Sequence, residues 1–347
     1  MNKLKPLPEE WSGLLNNEQK EAIENINGPL LIIAGAGSGK TRVLTYRYAH
    51  LIKTYGINFE NVLAITFTNK AANEMKDRIS DLLNLELSPK WISTFHSLCV
   101  KMLRIHGHLI GFNNNFTIYD QSDSTKLVRN CMRDSDIDTK QYSPKRIQAH
   151  ISSLKNQRIL PGEAVEFAQS FFDVKVAEIY SSYQKKLMLA NSMDFDDLLI
   201  KAVELLETSD KSLNYWSSKF QYIMIDEYQD TNMVQYRLVE LLASKHKNIC
   251  VVGDSDQSIY AFRGADIRNI EEFESDFKDA KVISLEKNYR SSQKILDIAN
   301  AVISNNPRKK DKKLWTDNDE GLDVNLVEFN SERDESRWIA EQINKLL

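Results

Sequence analysis

Ala34-Gly35-Ala36-Gly37-Ser38-Gly39-Lys40-Thr41 follows directly on the apolar run Leu30-Leu31-Ile32-Ile33, and that junction decides the fold. A strand, a glycine-rich turn and a Lys-Thr pair opening a helix is the build of a phosphate-cradling loop. Backbone N–H groups in the turn and at the free helix N-terminus converge on one point, where the helix dipole also favours negative charge. Gly37 and Gly39 let the main chain approach phosphate oxygens that a Cβ would hold off. Lys40 is placed to neutralise the outer phosphates, and the Thr41 hydroxyl to ligate Mg²⁺. The strict pattern has Gly six residues before the lysine, where this chain has Ala34. Gly35 follows at once, so the turn remains feasible.

Around that loop the apolar periodicity alternates. Helical spacing over Glu18–Ile26 precedes the Leu30–Ile33 strand, and a helix over Thr41–Tyr55 follows it. A strand at Val62–Ile65, a helix near Ala71–Leu83 and a short strand at Trp91–Ser93 complete the first stretch. Such alternation predicts a parallel sheet covered by helices. After Gly111 only Gly162 occurs before Gly253, and the region from about Ser122 to Leu206 reads as successive amphipathic helices. Strand patterns return at Tyr222–Ile225, Ile249–Val252 and Lys281–Leu285. A helical block between strands of one kind predicts an insertion into an α/β domain. A further segment begins near Asn288, passes a basic loop at Asn306–Lys313, and is expected to form a strand at Val324–Phe329 and a helix from about Ser331.

The bulk properties bound the rest. A chain of 347 residues with 42% hydrophobic and 27% charged residues is a soluble globular protein of about two domains. A net charge of −4 gives no global sign of nucleic acid, so any such site must be a local patch. Cys99, Cys131 and Cys250 share no metal-type spacing, and an odd, scattered count fits a reducing cytosol. Met1 to Trp11 lacks the apolar core of a signal peptide, and no run approaches a membrane span of ~18 residues. The expected location is cytoplasmic.

Two further turns carry chemistry. Ile223-Met224-Ile225 ends in Asp226-Glu227-Tyr228-Gln229-Asp230, which delivers two carboxylates to the carboxyl edge of a sheet, where open α/β folds place ligands. Alone, such a pair reads as a solvated turn. Beside a phosphate loop it reads as an NTP hydrolysis site, with Asp226 toward Mg²⁺ and Glu227 as general base. Val251-Val252 runs into Gly253-Asp254-Ser255-Asp256-Gln257, and Tyr260, Phe262 and Arg263 follow. Gln257 could reach a γ-phosphate. Aromatics beside an arginine suit a single-strand platform, because every base has a face to stack on; without context they are ordinary core residues. Thr66–Lys70 and Ser93–Ser97, each behind an expected strand, combine hydroxyls with an aromatic in the same way.

Taken together, Leu15–Gln19, Ala34–Thr41, Thr66–Met75, Trp91–His96, Asp226–Asp230, Gly253–Arg263 and Leu285-Glu286-Lys287-Asn288-Tyr289-Arg290-Ser291 closely resemble the UvrD/Rep/PcrA group of superfamily-1 DNA helicases, in order and spacing along the entire chain. The resemblance implies an ATP-dependent 3′→5′ single-strand translocase and helicase using ATP and Mg²⁺. In it, Gln19 would read the adenine, and the loop Ala34, Gly35, Ala36, Gly37, Ser38 and Gly39 would cradle the phosphates with Lys40, Thr41 and Arg42. Thr41 and Asp226 would hold the metal, and Glu227 would act as base. Gln257 would couple the γ-phosphate to the DNA track. Tyr289 would stack on the adenine, and Arg290 would reach the γ-phosphate from a second core. Phe67, Thr94, Tyr260, Phe262 and Arg263 would line the single strand. Members of the group usually carry Trp where this chain has Phe262, which still stacks but with less area.

The same resemblance implies a RecA-like P-loop core over 1–112 and 192–285, an inserted helical subdomain over 113–191 touching duplex ahead of the fork, and the start of a second RecA-like core over 286–347. The basic run Arg308–Lys313 falls in that last part; it reads as a solvated loop, or as a phosphate contact. Expected partners are single-stranded DNA, single-strand/duplex junctions and repair or replication proteins, with a monomeric chain and no membrane. The chain stops at Leu347 without a C-cap signal, and later motifs of the group have no counterpart, so an N-terminal part of such a motor is expected. Two alternatives make different demands. A nucleotide- and single-strand-binding fragment would bind both ligands without unwinding. A P-loop kinase or GTPase-like switch would have no use for the stacking aromatics.

Overall fold

The computed structural model describes residues 4–85, 89–306 and 312–347, so Arg308–Asp311 of the basic run lie outside the described residues. Among the described residues eight strands form in chain order: β1 Leu30–Ala34, β2 Val62–Thr66, β3 Ile92–Thr94, β4 Thr117–Ile118, β5 Ser192–Met193, β6 Tyr222–Ile225, β7 Ile249–Gly253 and β8 Lys281–Leu285. Six of them make one parallel sheet in the order β3-β2-β6-β7-β1-β8. This is the α/β architecture expected of a RecA-like core.

The inner strands β1, β2, β6 and β7 are buried along their whole length and almost wholly apolar because both faces are covered. Alternate residues separate into two cores. Leu31, Ile33, Leu63, Ile65, Ile223 and Val251 pack with helices Phe95–His106, Phe195–Thr208 and Met233–Ala243 on one face. Leu30, Ile32, Val62, Ala64, Met224 and Val252 pack with helices Asn17–Glu24, Lys40–Lys53 and Asn69–Leu83 on the other. The period-two alternation of side chains makes that division automatic.

All six strands run the same way, so their carboxyl ends share one edge. That edge receives the loops after Ala34, Thr66, Thr94, Ile225, Gly253 and Leu285. Strands β7 and β8 flank β1 and β6 lies beside β7, which brings Gly253, Asn288 and Asp226 toward the phosphate loop across more than 180 residues of sequence.

Helices Gln121–Asp134, Pro144–Asn156 and Phe171–Leu189 have a third core of their own, built on Val128, Ile147, Ile151, Val176, Tyr180 and Leu187. The two-residue ladder of β4 with β5 sits where the chain leaves the sheet domain and returns to it. There Thr117 N donates to Asn191 O at 3.1 Å and Tyr119 N to Met193 O at 2.8 Å. The expected strand at Val324–Phe329 does not form. Its alternation is strand-like, but a strand needs a neighbour to take its N–H and C=O groups, and none among the described residues pairs with it. Helix Glu332–Leu346 follows, capped by Ser331, whose Oγ accepts from Asp334 N at 3.3 Å. No helix among the described residues is long and apolar enough to cross a membrane.

Candidate active site and nucleic-acid groove

The phosphate loop is built as its sequence demands. Gly37 and Gly39 lie at φ +70° and +92°, and Gly39 caps the helix Lys40–Lys53. A Cβ on Gly37 would stand 2.6 Å from Asn288 Nδ2, and one on Gly39 2.8 Å from Gln19 Nε2, so both positions require glycine for conformation and for space. Ala34 ends β1 fully buried, which explains why a methyl is tolerated there. Ser38 is also buried, and its Oγ donates to Gly35 O at 2.8 Å, closing the turn from within. Gln19 is 1% exposed; its Nε2 donates to Ser38 O at 3.0 Å and its Oε1 accepts from Asn16 N at 3.2 Å. The glutamine expected at the adenine thus also braces the loop.

Across the sheet edge, Lys40 Nζ lies 2.8 Å from Glu227 Oε2. Glu227 is held at φ 50°, a left-handed conformation unusual for a non-glycine residue and typical of functional turns. Gln229 Nε2 donates to the same Oε2 at 2.9 Å, while its Oε1 accepts from Asp254 N at 2.9 Å. A Cβ on Gly253 would stand 2.7 Å from that Oε1, so the glycine makes room for the link. Asp226 Oδ1 accepts from Glu227 N at 3.0 Å, and its carboxylate also takes a hydrogen bond from Thr41. Burial first, and the Glu227 charge second, push the Asp226 carboxyl up to about 6; Lys40 and Thr41 act against them. Asp230 is raised to about 6 for the same two leading reasons. Gln257 Nε2 donates to Asp254 Oδ2 at 2.6 Å.

The chain after β8 closes over the loop. Asn288 Nδ2 donates to Ala36 O at 2.6 Å, and Tyr289 N donates to Gly37 O at 2.9 Å. The Asn288 Oδ1 accepts from Arg290 N and Ser291 N at 2.8 and 2.7 Å, and Arg290 Cβ would lie 2.8 Å from a Cβ on Gly37. Tyr289 and Arg290 are therefore at the phosphate loop, with exposed side chains. Lys287 Nζ sits 5.4 Å from the Tyr289 ring centroid. Lys312 reaches the turn after β7, paired with Asp254 and, at 3.0 Å, with Asp256. Arg42 stacks 5.8 Å over Tyr46 on the outer side of its helix.

The same edge carries the expected track. Phe67 and Tyr260 stack at 5.1 Å with an interplanar angle of 22°, and Tyr260 meets Phe262 at 6.0 Å. Phe262 is 79% exposed, an unusual cost for a phenyl ring in water. These rings line a groove of about 750 Å³ between the sheet edge and the inserted helices. His96 lines it too, with its ring edge-on to Phe195 at 5.9 Å. Thr94 caps the helix Phe95–His106: its Oγ1 accepts from Ser97 N at 3.3 Å and donates to Ser97 Oγ at 3.0 Å. The Arg263 side chain lies outside what is described.

Gln229, Asn288, Asp254 and Lys312 were not singled out from sequence. The first three lie inside the quoted motifs, where an amide or carboxylate flanked by functional residues was the available signal. Lys312 carried none beyond belonging to a basic run.

The arrangement can hold a polyphosphate against Lys40 and place a carboxylate beside it. Among the described residues no group of three or more His, Cys, Asp or Glu side chains could hold a metal ion unaided. A hydroxyl and a carboxylate, Thr41 and Asp226, supply the oxygen ligands that suit Mg²⁺ when phosphates provide others.

Comparison with known proteins agrees in both parts of the chain. A family model described as the UvrD/REP helicase N-terminal domain matches residues 15–278, and one described as the UvrD-like helicase C-terminal domain matches residues 283–347. The ATP-dependent DNA helicase PcrA of Staphylococcus aureus (strain Mu50) is 49% identical over 331 residues, covering 95% of this chain and 45% of that protein. The PcrA helicase of Staphylococcus epidermidis (strain ATCC 12228) gives the same identity and coverage. The chain spans about half the length of the curated relatives it matches.

Proposed function

The chain belongs to the UvrD/Rep family of helicases, and from that premise we propose that it forms the ATP site and the single-strand track of an ATP-driven 3′→5′ DNA translocase. The observation that carries the reading is the Lys40–Glu227 pair, 2.8 Å across a sheet edge that also bears the stacked Phe67 and Tyr260. Nucleotide and strand would sit on loops of one rigid sheet, so a change at one is felt at the other.

In this reading Lys40 leaves Glu227 for the β- and γ-phosphates, and the freed Glu227 Oε2 accepts a proton from the attacking water. Gln229 holds that carboxylate in place. Thr41 and Asp226 hold Mg²⁺, which would neutralise charge on the phosphates. Arg42 and Arg290 add positive charge, Gln19 and Tyr289 face the adenine, and Gln257 turns from Asp254 toward the γ-phosphate. Phe67, Thr94, Tyr260, Phe262 and Arg263 contact single-stranded DNA. We also assign residues 1–112 and 192–285 to the first core, 113–191 to the inserted subdomain at the duplex junction, and 286–347 to the second core. A monomer working in the cytoplasm with repair or replication proteins fits this assignment.

The test is ATP hydrolysis with and without oligo(dT). DNA should stimulate turnover, and Glu227→Gln should lower it by roughly 10²–10⁴ while nucleotide binding persists. Equal loss of both would make Glu227 structural. Binding of both ligands with no turnover would assign the chain to the binding-module reading instead.

A further inference from the structure

Asn156 ends the helix Pro144–Asn156 of the inserted block, and its amide ties together three segments of the molecule. Its Oδ1 accepts a hydrogen bond from Asn232 Nδ2 at 2.6 Å. Its Nδ2 donates to Asp196 Oδ1 at 3.2 Å and to Ser152 O at 2.8 Å. Gly264, which closes the turn after Phe262 at φ +86°, lies so near that a Cβ there would be 3.1 Å from Asn156 Cβ.

Two of those segments lead straight to the proposed chemistry. Asn232 caps the helix Met233–Ala243 in a reciprocal pair with Gln235, and it follows Glu227 through the single turn Tyr228–Asp230. Thr231 O accepts from Asp266 N at 2.9 Å and from Asn269 Nδ2 at 2.9 Å, so the stretch after Glu227 is bonded to the stretch after Phe262. Asn156 is hydrogen-bonded to the first and packed on the second.

The amide has two donors and one acceptor group, and all are committed inside the protein. It is therefore a poor reader of bases although it lines the groove. Its position is also fixed. The preceding Lys155 is 0% exposed, with its ammonium 2.7 Å from both Asp194 and Asp197, and Tyr183 Oη donates to Asp194 at 2.8 Å. A buried network of this kind has one low-energy arrangement, and since Asp194 and Asp197 open the sheet-domain helix Phe195–Thr208, it holds Asn156 where the inserted block joins that domain. The groove has two walls, the sheet-edge aromatics and the inserted block, and Asn156 stands where they meet.

We infer that Asn156 is a positioning residue that transmits occupancy of the groove to the Glu227 segment through Asn232. This rests on the reading that the groove takes single-stranded DNA and the loop takes ATP. The measurement is thermodynamic linkage: the factor by which a saturating non-hydrolysable ATP analogue with Mg²⁺ changes the affinity for fluorescent oligo(dT). Couplings between sites are typically about 5–150-fold. Asn156→Ala should bring the factor to within about twofold of unity, with oligo(dT) affinity in the absence of nucleotide within about threefold of the parent. Asn232→Ser, which keeps a helix-capping oxygen but removes the Nδ2 donor to Asn156, should lower it as far.

Unchanged linkage in Asn156→Ala overturns the inference. So does loss in Asn156→Ala with unchanged linkage in Asn232→Ser, since that assigns the effect to packing. A parent chain that binds both ligands without linkage overturns it as well, whereas one that fails to bind oligo(dT) or the analogue would instead refute the reading on which the inference rests. Melting curves of all three proteins separate these outcomes from misfolding.

Discussion

Replacing Asp226 by Asn should make the protein more stable and less competent, with a pH dependence that identifies the cause. Asp226 is 7% exposed, and burial together with the neighbouring Glu227 raises its carboxyl from 3.8 to about 6. The folded chain thus holds this proton more tightly than the unfolded chain. Stability falls as pH rises from about 4 through 6, and the deficit is complete above that. Each pKa unit is worth ~1.4 kcal/mol, so the ionised Asp226 costs about 3 kcal/mol at pH 8. An amide of the same shape carries no such charge, and its Oδ1 can still accept from Glu227 N. Asp226→Asn should therefore raise the unfolding free energy by about 2–3 kcal/mol at pH 8, or several degrees in Tm, with the gain shrinking below pH 6. The assay is thermal unfolding from pH 4.5 to 8 without nucleotide. Adding Mg²⁺ with an ATP analogue should reverse the ranking, because a ligand that binds only the folded parent stabilises it by mass action. A variant no more stable than the parent at pH 8, or a gain independent of pH, would refute the reasoning.

Lys155→Met leaves Asp194 and Asp197 facing each other in the interior, and loss of one partner of a buried pair costs about 3–5 kcal/mol. Hydrogen exchange should show the helices Pro144–Asn156 and Phe171–Leu189 opening first, and uniform protection would contradict this. Phe262→Ala removes an exposed ring and should weaken oligo(dT) binding by about 1–3 kcal/mol in fluorescence anisotropy. Melting should be unchanged, and an unchanged affinity would remove Phe262 from the track.

Much of the fold was legible because the inner strands of the sheet are short apolar runs that end in distinctive polar turns. Leu30–Ala34 into glycines, Tyr222–Ile225 into two carboxylates and Ile249–Gly253 into an amide-bearing turn all read correctly as strand followed by turn. A parallel sheet then gathers those turns at one edge without further information. What escaped reading depends on partners far away in the chain. The ladder of Thr117–Ile118 with Ser192–Met193 is two residues long, and its pairing spans the whole insertion. Lys155 sits in an amphipathic helix, where a lysine ordinarily faces water; only the fold brings Asp194 and Asp197 around it. Val324–Phe329 failed for the converse reason, since alternation proposes a strand but a neighbouring strand must complete it. The docking of Asn288 on Ala36 O, across 252 residues, is likewise a product of β8 lying beside β1.

The central claim is that one sheet edge joins a nucleotide site to a single-strand groove. Its most direct test is reciprocal linkage in the parent chain: oligo(dT) affinity with and without Mg²⁺ and a non-hydrolysable ATP analogue, and analogue affinity with and without oligo(dT). Coupled sites must change each other's affinity by the same factor, which should lie within about 5–150-fold. Two ligands that bind fully and independently would contradict the account.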